Sequence, residues 1–156
     1  MAAVLYSVLG TVQSTIQGLS LSGLSSGNVL VQKVPLVRPR DLPATNFPCV
    51  IIGPYGPETL DPAKGSNLRD DIGYPILVAM FSADNQSQTE NFDRSLTWRQ
   101  TLIETFHMRP SVFSAIGGII DSRVEPQPII DIPGWLQRNL FISAILIRVT
   151  SRRARS

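Results

Sequence analysis

Adjacent carboxylates are the first feature of this sequence that could support chemistry, because oxygen ligands on neighbouring residues can hold a divalent cation. Asp70 and Asp71 form such a pair. Their side chains diverge in an extended segment, however, and no third oxygen ligand lies at a diagnostic spacing. Glu90 and Asp93 fall in the first turn of a predicted helix, where negative side chains offset the positive end of the helix dipole. We therefore expect no metal site.

The single cysteine and the single histidine offer little to catalysis. Cys49 falls in a predicted apolar strand, where a small buried thiol is expected rather than a nucleophile. His107 ends a predicted helix, and one histidine leaves a zinc site short of ligands. The phosphate-binding pattern GxxxxGK[ST] and the dinucleotide pattern GxGxxG are both absent from the sequence. We expect no enzymatic activity and no cofactor.

Charge is distributed unevenly along the 156 residues. The formal net charge is +2, but without Arg152, Arg153 and Arg155 the count is 11 basic minus 12 acidic residues, or −1. Between residues 58 and 93, seven acidic residues face two basic ones: Glu58, Asp61, Asp70, Asp71, Asp84, Glu90 and Asp93 against Lys64 and Arg69. Segregated charge of this kind is typical of a self-assembling subunit. Solvated loop charges and a frayed basic end are the alternative interpretation.

Hydrophobic periodicity predicts two main helices and five strands in the order α-β-β-β-α-β-β. The helices are predicted over residues 2–19 and 88–107, and the strands over 29–37, 47–52, 74–81, 119–125 and 140–150. Residues 74–81 are apolar at every position, which predicts a central strand buried on both faces. The pattern indicates an α+β fold with one mixed, mostly antiparallel sheet and two main helices packed on it.

The segment from residue 53 to residue 73 interrupts this pattern. It is rich in proline, glycine and acidic residues, which predicts a long exposed loop or an extended hairpin arm. We expect one domain over residues 1–151 that carries this loop or arm, followed by a basic C-terminal tail over residues 152–156.

Two tryptophans and one arginine are candidates for an interface. Trp98 and Arg99 lie at the edge of the apolar stripe of the second helix, and Trp135 follows a Pro-Gly turn that would normally face solvent. Large side chains in such places either pack at the periphery of the core or anchor a partner.

A specific combination of features occurs between about residues 70 and 150. Gly73-Tyr74-Pro75 opens an apolar strand, a proline-rich loop follows later, and a closing apolar strand runs into arginines. Asp84 follows the first of these strands, and the predicted helix after it carries Asp93, Leu96, Trp98, Arg99 and Phe106. This combination resembles the small neck and tail-terminator (head–tail joining) proteins of long-tailed bacteriophages. The first 70 residues match that family only in the order of their elements.

The resemblance implies a non-enzymatic structural protein of the virion, made in the host cytoplasm and without a cofactor. It implies a homo-oligomer, a hexameric ring, that caps the tail tube and joins it to the head connector or stopper protein. DNA would pass through the channel without tight binding. The channel or arm loop would carry Glu58, Asp61, Asp70, Asp71 and Asp84. The arginines Arg152, Arg153 and Arg155 would contact a protein partner.

Two other functions remain open from the sequence. A head-completion or stopper protein of the same neck would share this composition and differ only in its neighbours. A small nucleic-acid-binding module would depend on the terminal arginines, but the chain lacks the aromatic and basic stripe expected of single-strand binders. We expect no membrane segment, because the longest apolar runs are far shorter than the roughly 20 residues that span a bilayer.

Overall fold

The computed structural model describes residues 3–34, 47–62, 68–83, 91–138 and 140–155. The helices of these ranges are α1 (Val4–Gly18), α2 (Phe92–Phe106) and α3 (Ile132–Arg138). The strands are β1 (Val29–Val31), β2 (Cys49–Pro54), β3 (Thr59–Pro62), β4 (Arg69–Ala83), β5 (Ile119–Pro126) and β6 (Leu140–Ala154). Short 3₁₀ turns precede β1 and follow α2.

All six strands belong to one sheet. The strand order is β1-β2-β4-β6-β5, and β3 pairs with β4 beyond the end of β2. β1 runs parallel to β2, while the other pairs are antiparallel. The predicted α+β fold with one mixed, mostly antiparallel sheet is therefore confirmed. The predicted central strand over residues 74–81 lies within β4, between β2 and β6.

One face of the sheet is closed by α1 and α2. Val8, Val12 and Ile16 recur at helical spacing in α1, and all three are fully buried against the sheet. The other members of this core come from α2 and from alternate strand residues, among them Trp98, Leu102, Phe106, Val50, Ile52, Ile76, Val78, Ile145 and Ile147. We call this side of the sheet the helix face.

The opposite side, which we call the second face, carries a smaller apolar cluster. Its buried members are Cys49, Ile51, Ala79, Phe81, Leu140 and Ile142. In the described part of the chain, this face is covered by α3 and the segment before it, which also line a groove. The two faces are therefore closed to different degrees.

Several predicted elements differ from the observed ones. The prediction missed α3 and made β4 and β6 too short, while β3 and its antiparallel pairing with β4 lie in the segment predicted as a loop or hairpin arm. α2 begins at Phe92 rather than at residue 88, and residues 88–90 lie outside the described ranges. β1 ends at Val31, and the predicted remainder of that strand is either irregular or outside the described residues.

Candidate interaction surfaces

β4 and β6 pair along their whole length, and one end of this pair forms an arm. Each strand has 15 residues, and the register runs from Arg69↔Ala154 to Ala83↔Leu140. β3 joins β4 at this end, and all four of its residues are exposed. We define the arm as residues 59–62, 68–73 and 151–155. The segment over residues 53–73 thus contains the end of β2, all of β3 and the start of β4.

Two ion pairs hold the strands of the arm together. Arg152 donates through Nε and Nη2 to the two carboxylate oxygens of Asp71, at 2.8 and 2.9 Å. Arg155 donates through the same two atoms to Oδ1 of Asp70, at 2.9 and 2.7 Å. Neighbouring strand residues point to opposite faces, so the arm has one pair on each side. The hydrogen bonds from Arg152 hold the pKa of Asp71 below its ordinary value.

These pairs change the interpretation of the charged segments. Residues 152–154 continue β6 and do not form a separate tail. Arg152 and Arg155 were candidates for a partner contact, and Asp70 and Asp71 were candidates for a channel or arm loop. The structure brings the two sets together and makes them partners of each other inside one subunit.

Arg153 differs from its two neighbours in sequence. Its Nε donates to Ser151 Oγ at 3.0 Å, and no carboxylate in the described part of the chain pairs with it. Glu58 and Asp61 are exposed on or beside the arm. Asp84, the fifth acidic candidate, lies outside the described residues. Arg153 is therefore the terminal arginine best placed to meet an external acid.

Trp98 and Arg99 do not reach the surface, which corrects their proposed interface role. Trp98 is 3% exposed, and its Nε1 donates to the Ser22 carbonyl at 3.0 Å. Arg99 is 7% exposed, and its Nη1 donates to Ser143 Oγ at 3.0 Å. Both side chains stand at the edge of the stripe on α2, but the chain itself closes over them.

Arg99 occupies the place where β5 and β6 separate. The last register pair of these strands is Pro126↔Ile145. Immediately beyond it, the guanidinium donates to the Ala144 carbonyl at 2.6 Å and to the Gln127 carbonyl at 2.5 Å. If the pairing of β5 with β6 had continued, backbone N–H groups would have donated hydrogen bonds at this point. The guanidinium of Arg99 supplies donors to the two carbonyls instead. Burial lowers the pKa of Arg99. Arg99 thus fastens the start of the segment that crosses to the second face.

That segment, residues 127–138, forms a lid on the second face and ends in α3. The Asp131 amide donates to the Ile142 carbonyl of β6 at 2.9 Å, and the Asp131 carboxylate caps the helix by accepting from the Gly134 amide at 3.2 Å. A Cβ at Gly134 would collide with the Asp131 carboxylate and lie 3.2 Å from Ile142, so glycine permits this close approach. Trp135 lies in this helix, half-buried, and its buried Nε1 has no hydrogen-bond partner among the described residues.

An apolar groove of about 460 Å³ opens between the lid and the sheet. Leu77, Ala79 and Ala144 line its sheet side, with Tyr55 and Ile132 at the mouth among the other lining residues. Tyr55 is 52% exposed and Ile132 is 56% exposed. Sequence reasoning missed the groove. The sequence did contain one indication of it, because β6 carries apolar residues on both of its faces and both faces must therefore be covered by other parts of the chain.

The residue types that most often support catalysis or metal binding are dispersed in the described part of the chain. No group of three or more potential metal ligands occurs among the described residues. Cys49 is buried as predicted, and burial raises the pKa of its thiol to about 12. Nδ1 of His107 accepts a hydrogen bond from the Val124 amide at 3.1 Å, so the imidazole completes the edge of β5.

Residues 23–27 spell the GxSxG pattern that marks the nucleophile in α/β-hydrolases. That nucleophile stands on a sharp turn between a strand and a helix. Here Ser25 instead precedes a short 3₁₀ turn, Ser26–Asn28, that leads into β1. The pattern therefore lacks the geometry that its chemistry needs.

Comparisons with known proteins give similarity in structure without similarity in sequence. No protein-family model matches the sequence, and no curated protein matches it. The fold is similar to that of a chain in the virion of a native gene transfer agent particle, with a TM-score of 0.54 and 10% sequence identity. The match covers 95% of this chain and 99% of that chain. No helix in the described ranges is long and apolar enough to cross a membrane.

Proposed function

We propose that this chain is a structural subunit of a phage-like virion. The observation that supports this most strongly is the fold match, which extends over nearly all of both chains and joins this fold to a virion component. The described surface agrees with an assembling subunit, because it has an apolar groove and an exposed strand, β3.

Within that class, we assign the chain to the neck. The sequence resemblance to tail-terminator proteins favours a ring of about six subunits that caps the tail tube and joins it to the head connector. The alternative, a head-completion or stopper protein, differs in its neighbour rather than in its fold. A nucleic-acid arm is disfavoured, because Arg152 and Arg155 are already engaged by Asp71 and Asp70.

The test mixes the purified protein with two separate targets, tail tubes assembled without their terminator and empty heads with their connector. Electron microscopy then locates the bound protein. We expect a ring at one end of the tube. Binding to the connector alone would make the chain a stopper protein, and binding to neither target would contradict a role in the neck.

A further inference from the structure

The arm and the groove both expose apolar side chains that the subunit does not cover. On the arm, Leu60 is 69% exposed and Leu68 is 75% exposed. At the mouth of the groove, Tyr55 and Ile132 are each more than half exposed. Exposed apolar surface beside a cavity commonly marks a site of interaction between proteins.

The arm of a subunit cannot fill the groove of the same subunit. Leu60 pairs with Ile72, five residues along β4 from the groove residue Leu77, which is about 16 Å at the rise of a strand. Ile72 lies four residues before Ile76 in β4, so both side chains point to the helix face. Leu77 points to the second face. Directly opposed residues share a face, so Leu60 points away from the groove.

We propose that the arm of one copy docks into the groove of the next copy, with Leu60 and Leu68 as apolar anchors. The contact joins the helix face of the arm to the second face of the neighbour. Two different patches are used, so the contact is heterologous and closes into a ring when the rotation permits. This inference depends on the proposed function, since it supplies the contact that the ring requires.

Charge complementarity favours a second copy as the occupant. Arg153 is directly opposite Asp70 in the register, which places it on the same arm face as Leu60. Asp131 is exposed and lines the groove. Docking would bring the guanidinium of one copy, which has no carboxylate partner within the described ranges, toward the carboxylate of the other.

The test uses one substitution on each side of the contact. Leu60→Asp places a charge on the arm, and Tyr55→Asp places a charge at the mouth of the groove. Both residues are more than half exposed, so folding should be preserved, and circular dichroism checks this. Ala144→Phe, which fills the groove, is a second groove variant. Tyr6→Asp is the matched control, because Tyr6 is 71% exposed on α1 and outside both patches.

Native mass spectrometry over a concentration series measures self-association. We expect each arm or groove variant to lose at least about tenfold in association affinity, and the control to keep it. In an equimolar mixture of the two variants, the Leu60→Asp subunit keeps an intact groove and the Tyr55→Asp subunit keeps an intact arm. The mixture should therefore form one-to-one heterodimers that stop growing, although neither variant associates alone.

The outcomes separate this inference from the proposed function. If the wild type forms rings and the arm and groove variants form them equally well, the docking contact is overturned while the neck function stands. A mixture that shows no heterodimer also overturns it. If the wild type neither associates at any concentration nor binds tail tubes, the proposed function fails and the docking contact fails with it.

Discussion

The two faces of the sheet are built from similar apolar residues but are closed very differently. On the helix face, α1 and α2 bury a continuous core whose central members, such as Ile76 and Ile147, are fully buried. On the second face, α3 has only seven residues and leaves a groove of about 460 Å³ beside it. The helix face therefore carries most of the stability of the subunit, and the second face keeps apolar surface exposed.

The largest expected effect compares a side chain from each face. Phe106→Ala removes a fully buried ring that packs on Phe113 with centroids 6.2 Å apart, and should lower the free energy of unfolding by about 3–5 kcal/mol. Tyr55→Ala, at the groove, should change it by less than about 0.5 kcal/mol. Urea denaturation measures both. Equal losses would contradict the division of roles between the faces.

The reactivity of Cys49 tests how far the opening of the second face extends. This thiol belongs to the cluster on that face, is fully buried, and has its pKa raised by burial to about 12. We expect a disulfide reagent at pH 8 to modify it at least about a hundredfold more slowly in the native protein than in the denatured chain. Rapid modification of the native protein would mean that the second face opens well beyond the groove.

Arg99 tests the attachment of the lid. Arg99→Met leaves the carbonyls of Gln127 and Ala144 without their donors and should cost about 2 kcal/mol of stability. Hydrogen exchange should become faster over residues 127–138. Arg94→Met is the control on the same helix, because the contacts of Arg94 within the described ranges, a 3.3 Å hydrogen bond to Ser82 and a cation–π contact with Trp98, do not involve the lid. Unchanged exchange in Arg99→Met would show that the lid is held by other contacts.

The smallest effect concerns the arm and depends on pH. Arg152 lowers the pKa of Asp71 in the folded protein, so the pair contributes stability above the ordinary carboxylate pKa of about 4, and this contribution is lost as the pH falls. Asp71→Asn should therefore be less stable than wild type at pH 7, with a difference that shrinks toward pH 3. Thermal unfolding at several pH values measures this. Asp61→Asn, which changes an exposed carboxylate without such a pair in the described ranges, should show no loss.

The sequence was informative wherever burial follows a simple period. Val8, Val12 and Ile16 recur as a helix requires, and Tyr74 to Phe81 is apolar at consecutive positions, so α1, the centre of β4 and the fold class were predictable. Pro75 obscured the true length of β4. The Pro75 carbonyl accepts a hydrogen bond from the Tyr55 amide, so the missing N–H of Pro75 would point to the same side, toward the break between β2 and β3. A missing donor costs little at that position.

The candidate surfaces were harder to predict, because they depend on contacts that are distant in sequence. Pro133 and Gly134 indicated a turn, yet proline is accepted in the first turn of α3 and glycine allows the helix to approach β6. Arg152 suggested a tail, because its partner Asp71 lies 81 residues away. The groove itself results from the mismatch between a wide apolar face and a short lid, which no local pattern encodes.

In the proposed assembly, copies of this chain join through the arm and the second face into a closed ring. The most direct measurement is the native mass of the wild-type protein over a concentration series, alone and with tail tubes. We expect one closed species of about six copies that replaces the monomer without a continuing series of larger oligomers. A monomer at every concentration that also fails to bind the tubes would contradict it.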